Sequence, residues 1–268
     1  MSTANEVRRS RPVEVFGRIG QACYGVVHLL IAYLALQVAF GDSGKEADQH
    51  GAVATVAQGG FGKVLLWVLA IGLLAFGLWQ LLLAATGFHW IEAGRKRVMK
   101  KIGAVVRGIV ALAIGTYAIK FAAGSGGQSS DSSQKEMTAK LLSLPAGRVL
   151  VGIVALAVIG AGIAQIVTGV RKTFMEDLNV VELPRGTQQW VRRAGVAGYI
   201  AKGVAIGVVG ILIGTAALDS NAGKAGGLDA ALKTLGAQPF GVVILVVVAL
   251  GFAAFGIYCF GAARAQRG

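Results

Sequence analysis

FGVVILVVVALGFAAFGIYC, residues 240–259, decides the class of this protein. Its residues carry no charge. A helix of about twenty residues rises about 30 Å, the thickness of a bilayer's hydrocarbon core. Two other stretches fall on it in register: FGKVLLWVLAIGLLAFGLWQ from Phe61 and AGRVLVGIVALAVIGAGIAQ from Ala146. Gly62, Gly147 and Gly241 align across the copies, as do Gly77, Gly162 and Gly256.

Upstream of each copy lies a second apolar run that opens with Gly-x4-Gly. These openings are GQACYG at 20–25, GAVVRG at 103–108 and GYIAKG at 198–203. The first runs are offset by 83 and 95 residues and the second by 85 and 94. Near-equal offsets over both runs indicate one hairpin unit of about 80–95 residues, present three times.

Six windows can therefore span a membrane as helices: about 19–40, 64–87, 102–123, 148–170, 195–218 and 240–262. They are too long and continuous for the alternating strands of a barrel. The first is not read as a cleavable signal, since its apolar run is too long and no small-x-small site closes it. Composition agrees: 55% of the 268 residues are hydrophobic, 15% are charged and the mean hydropathy is +0.66. Soluble domains carry about a quarter charged residues. Forty glycines against four prolines suggest close helix contacts. Cys23 and Cys259 sit inside apolar runs, with neither a disulfide framework nor metal-ligand spacing.

A net charge of +13 would suggest nucleic acid in a soluble chain. Here the cations alternate with the spans. Arg8, Arg9, Arg11 and Arg18 precede span one. Arg95, Lys96, Arg97, Lys100 and Lys101 precede span three. Arg171, Lys172, Arg185, Arg192 and Arg193 lie between spans four and five, and Arg264 and Arg267 follow span six. These are sixteen of the 26 Lys and Arg residues, and the other three loops hold seven. The positive-inside rule then predicts a multi-pass protein with both termini cytoplasmic. Trp90 and Trp190 fall where an inner aromatic belt would lie.

The expected organisation is a cytoplasmic tail (1–15), repeat 1 (16–88), a basic link (89–101), repeat 2 (102–174), a second link (175–193) and repeat 3 (194–264). The second link should lie along the interface with a short helix. The outer GSGGQSSDSSQ segment reads as a flexible linker. Parallel repeats are related by an axis along the membrane normal, so three of them predict an all-α, six-helix, pseudo-threefold bundle. Small residues should pack it: Gly20, Gly25, Gly77, Gly103, Gly108, Gly162, Gly198, Gly203, Gly207, Gly210, Gly214 and Gly256.

The repeated frame resembles a bacterial membrane family called domain of unknown function 1206, with GGLDAALKTLGAQPFGVVILVVVALGFAAFGIY as its clearest copy. In that family a two-helix unit typically occurs three times. The resemblance covers about residues 16 to 264. Repeat 1 departs from it, reading AQGGFG against SLPAG and AQPFG, and repeat 2 replaces the acidic-glycine loop by serines. The resemblance implies the fold and no activity.

All thirteen acidic residues lie outside the spans, where proton-coupled pumps keep a carboxylate inside. No P-loop, HExxH, CxxC or GxSxG occurs, so no enzyme, cofactor or metal is expected. The intramembrane polar residues are Tyr24, His28, Gln80, Arg107, Lys120, Gln165 and Lys202. Lys120 should snorkel to the outer interface. Gln80 and Gln165 are repeat equivalents and should hydrogen-bond between helices. His28, replaced by Ala111 and Ile206 in the other repeats, reads first as a packing residue and otherwise as a candidate ligand for an anion or headgroup together with Tyr24, Arg107 and Lys202.

Arg107 and Lys202 share a repeat position with Tyr24 and admit two readings. They snorkel to inner-leaflet headgroups, or they ring the cytoplasmic mouth of the axis and take an anion. Past them the same faces continue as His28, Ile31 and Ala35, then Ala111, Ile114 and Ala118, then Ile206, Val209 and Ile213, a dry middle if they face inward. The favoured function is a non-enzymatic binding or accessory protein. Its partners would be the bilayer, anionic inner-leaflet lipid, and a membrane protein or a second copy, with no nucleic acid. The alternative is a transporter or channel for a small anion.

Overall fold

The computed structural model describes residues 11–41, 44–58, 61–125, 129–179, 181 and 183–265, without the side chains of 11–14 and 185. Glu6, Arg8, Arg9, Asp42, Glu182 and Arg267 lie outside the described residues, as do the side chains of Arg11, Glu14 and Arg185 and part of the serine-rich segment. Six helices are long and apolar enough to cross a membrane, as expected of a multi-pass membrane protein. They are α1 (Arg11–Ala39), α3 (Gly62–Thr86), α4 (Arg95–Ala122), α6 (Gly147–Arg171), α7 (Arg185–Leu218) and α9 (Gly241–Ala265). Between the two long helices of each repeat lies a short one: α2 (Gln49–Ala57), α5 (Ser130–Leu142) and α8 (Leu228–Gly236).

Three expectations need correction. The basic residues 95–101 are the first turns of α4, not a link, and residues 185–193 likewise open α7. Lys and Arg are good helix formers, so a helix continues past the apolar core. The serine-rich segment is not a free linker from Ser129 onward. The Ser129 hydroxyl accepts from the Ser132 amide and starts α5.

The repeats close on one another through glycine. At the seam between α3 and α4, a Cβ on Gly77 would stand 3.0 Å from the Gly108 carbonyl. Between α6 and α7, one on Gly203 would meet the Gly162 carbonyl at 2.6 Å. Between α9 and α1, one on Gly256 would meet the Gly25 carbonyl at 2.9 Å. The aligned glycines of the two helix types thus cross pairwise, backbone on backbone, at all three boundaries between repeats. Lipid supplies no hydrophobic drive for helix association, so this close approach and its dispersion contacts hold the repeats together. Gly210 extends the α6–α7 seam against Ile159, and Gly207 lends its backbone to Gly162. Gly214 makes only an ordinary contact with Ala155.

Seams within repeats use a different pair. A Cβ on Gly20 would strike Phe76 of α3, and one on Gly198 would strike Phe255 of α9, each at 2.6 Å. The equivalent Gly103 has no neighbour within 4 Å but its own Arg107, so it does not pack a seam as expected. Helices α4 and α6 form no interface comparable with the other five. The bundle is a pseudo-threefold ring of six helices with one seam open.

The short helices cap the end away from the basic clusters. Each leans on the first helix of the next repeat: α2 on α4, α5 on α7 and α8 on α1. Hydrogen bonds run round this cap in one sense. The Ala47 amide donates to Asp229 at 2.8 Å, and the Gly227 amide donates to Asp131 at 2.7 Å. The third link runs from Ser129 and Ser130 to Glu46.

Gly103 and Gly198 occupy the same repeat position in unlike surroundings. Gly198→Leu should destabilise the purified protein by about 1–3 kcal/mol through overpacking. Gly103→Leu should leave the thermal melt in detergent unchanged. Equal melts for the two variants would contradict the open seam.

Candidate functional site

The basic end of the axis holds a small chamber of about 50 Å³. Its walls include Tyr24, Phe76, Gln80, Arg107, Tyr199 and Phe255. Aromatic rings build it because Phe76 and Phe255 fill the seams within repeats 1 and 3. The Tyr24 ring stacks on Phe76 at 4.9 Å and meets Phe255 edge-on at 6.2 Å.

Two of the three equivalent residues are bonded directly. Lys202 Nζ donates to the Tyr24 hydroxyl at 2.7 Å and lies 4.5 Å from the centre of the Phe255 ring. Tyr24 is 4% exposed, so this lysine turns to the axis and does not snorkel. A cation over aromatic faces recovers part of its lost hydration. Arg107 lines the chamber beside Tyr24, and its guanidinium folds back along Gly103 toward the basic end. It makes no hydrogen bond or ion pair among the described residues.

His28 lies one helical turn beyond Tyr24, behind the chamber wall. It is 1% exposed, and its Nδ1 lies 2.9 Å from the Tyr24 carbonyl, which can only accept, so the proton sits on Nδ1. Phe252 and Phe255 flank the ring. Beyond it Ile31, Ala35, Ala111, Ile114 and Ala118 are buried, as expected of a dry axis, while Ile206, Val209 and Ile213 are only half-buried. Gln80 departs from expectation: its Oε1 is buried and unbonded at the chamber wall. Gln165 makes no hydrogen bond between helices among the described residues. Lys120 is exposed at the far end of α4.

The link after α6 folds back as a plug. Its 3-10 turn, Thr173–Asp177, buries Phe174 against Tyr199 with ring centres 5.0 Å apart. The Asn179 amide donates to the Ala265 carbonyl at 2.6 Å. Lys100 ties down the turn by bonds of 2.8 Å to the Thr173 carbonyl and 2.7 Å to Asp177. Asp177 and Leu178 thereby line the chamber. An aromatic and two acids in a charged segment were the available signal, but nothing local says that they turn inward. Beside the plug lies a surface groove of about 570 Å³, where Glu92 and Glu176 face Arg95 and Lys96.

A second constellation stands in the far-end cap. One ligand atom from each of Glu46, Asp48 and His50 lies within 4.8 Å of the others. Asp48 caps α2 by accepting from the Gly51 amide at 2.9 Å, and the His50 ring stacks on Tyr117 at 3.9 Å. Burial first, and the neighbouring carboxylates after it, push the Glu46 and Asp48 carboxyls above the usual range. The Gly51 amide satisfies Asp48 Oδ1, while Asp48 Oδ2 is buried without a hydrogen bond.

The family model described as Domain of Unknown Function (DUF1206) matches three times, at residues 19–87, 102–172 and 197–266. An "Uncharacterized protein YxxB" of Bacillus subtilis (strain 168) is 29% identical over 246 residues, covering 92% of this chain and 88% of its own length. No solved structure matches.

The cap carboxyls bind protons more tightly folded than unfolded. Their stabilising contribution is therefore full below the ordinary carboxylate range of about 4 and is lost as pH rises through their raised values. Asp48→Asn keeps the capping oxygen and removes the charge. It should raise the melting temperature at pH 7.5, by about 2–4 °C for each kcal/mol gained, and by less at pH 4. A lower melting temperature at pH 7.5 would refute the reading.

Proposed function

The chain belongs to the family of the Domain of Unknown Function 1206, and for it we propose a non-enzymatic binding role, in which the chamber at the basic end holds an anionic group. The observation that carries this is Arg107, a permanent cation in the wall of a chamber, without an ion pair among the described residues. Arg107 is half-buried, and Asp177, the carboxylate in the same wall, is held by Lys100, so an added anion would offset the guanidinium's lost hydration. Lys202 adds a second positive charge behind Tyr24, whose hydroxyl it already engages. A guanidinium offers a planar fork of N–H donors suited to phosphate or carboxylate. The chamber exceeds the roughly 10–15 Å³ that one water needs, so a phosphate-sized group is accommodated and a large metabolite is not.

We place the protein in the bacterial inner membrane with both termini cytoplasmic, because the alternating cation clusters follow the positive-inside rule. The chamber then lies at the cytoplasmic leaflet, where anionic lipid is the abundant source of phosphate. A membrane protein partner or a second copy fits the glycine-bearing outer face of α6, whose Gly152 and Gly160 touch nothing. Transport of an anion is the weaker reading: the axis beyond His28 is lined by small apolar side chains, and the spans hold no carboxylate for coupling.

Purified protein in detergent should bind inorganic phosphate by calorimetry. Arg107→Ala should weaken binding about tenfold, the worth of one charge-assisted hydrogen bond. In liposomes the protein should give no anion flux above the empty vesicle. Flux lost in the Arg107→Ala, Lys202→Ala double variant would replace binding by transport.

A further inference from the structure

We propose that the anionic group enters the chamber sideways from the bilayer, as the headgroup of a phospholipid whose tails lie in the open seam between α4 and α6. The proposal rests on the anion-binding reading of the chamber and adds the ligand's class and route. Repeat alignment locates the opening. Where Phe76 and Phe255 fill the seams of repeats 1 and 3 against Gly20 and Gly198, repeat 2 has Ala161, and that alanine is exposed. Its expected partner Gly103 meets only Arg107. Two missing aromatic-glycine contacts would be a defect in a packed bundle. Here they fall at the one seam whose first helix carries the chamber's guanidinium.

Depth and charge select the occupant. Arg107 lies six residues beyond Lys101, about 9 Å along α4, within reach of headgroups. The seam around it is apolar, with Val106 and Val110 on α4 and Val154 and Val158 on the Ala161 face of α6. A cation at the mouth of an apolar slot complements a phosphodiester on two acyl chains. The chamber, at about 50 Å³, can take the phosphate and must leave the chains outside, which only a lateral opening allows. From the aqueous side Phe88, Trp90 and Leu178 stand in the wall, and Asp177 presents a carboxylate to an arriving anion.

The test uses the full chain in vesicles of phosphatidylcholine with phosphatidylglycerol, extracted and weighed by native mass spectrometry. Wild type should retain one phosphatidylglycerol. Ala161→Phe, which restores the aromatic of the other repeats, should cut retention about tenfold and leave phosphate binding within twofold. Arg107→Ala should weaken both about tenfold. Gly103→Leu fills the same slot from the other helix and serves if Ala161→Phe fails to fold. Retention equal to wild type in the filled variants would overturn the lateral route. Phosphate binding without any retained lipid would make the ligand a solution anion, which overturns the route and keeps the chamber. Absence of both would sink the chamber as well. A dimer turned into a monomer by Ala161→Phe would assign the seam to a second copy and overturn the proposal.

Discussion

Everything in this molecule depends on backbone meeting backbone at three crossings: Gly77 with Gly108, Gly162 with Gly203, and Gly256 with Gly25. Inside a bilayer an apolar side chain gains nothing by leaving lipid for protein. Association then rests on how closely two helices approach, and only hydrogen at both positions allows these distances. With the crossings fixed, the orientation of each first helix follows. Tyr24, Arg107 and Lys202 each precede a crossing glycine by one residue, so the crossings also aim the three side chains at the axis.

The far-end cap reinforces this by other means. Backbone amides and carboxylates link repeat 1 to repeat 3, repeat 3 to repeat 2 and repeat 2 to repeat 1. Directional bonds work there because these segments lie beyond the apolar spans. Glycine crossings and cap together hold the ring at two levels, which tolerates one undeveloped seam between α4 and α6. The basic end has no equivalent ring. There the plug after α6, tied by Lys100, closes the axis on one side only.

The six spans, the repeats and the pairing glycines were readable because each rests on a long-wavelength regularity. Hydropathy over some twenty residues and an offset near ninety survive many local substitutions. The turn of Lys202 toward Tyr24 was readable only as one of two options. A lysine one turn inside a helix can reach either headgroup or axis, and the choice is made by a phenol 178 positions away. The short helices α2 and α8 are hard to read because nine residues are fewer than a helix ordinarily needs to stand out from a loop. The open seam was present in the aligned stretches as Phe76, Ala161 and Phe255. It became meaningful only once those side chains were seen to fill equivalent gaps. The basic turns of α4 and α7 read as links in the sequence because charge masks the continuation of a helix past its apolar core.

Three tandem units on one chain also differ from a trimer of identical units. In a symmetric trimer a change of phenylalanine to alanine at this position would strip all three internal seams at once. Covalent duplication lets one unit drift while two keep the scaffold. The ring therefore has an address: one open seam, one arginine beside it, and a lysine–tyrosine pair at the remaining two equivalent positions. Asymmetry confined to one sector turns a packing motif into a site with a single orientation relative to the surrounding lipid.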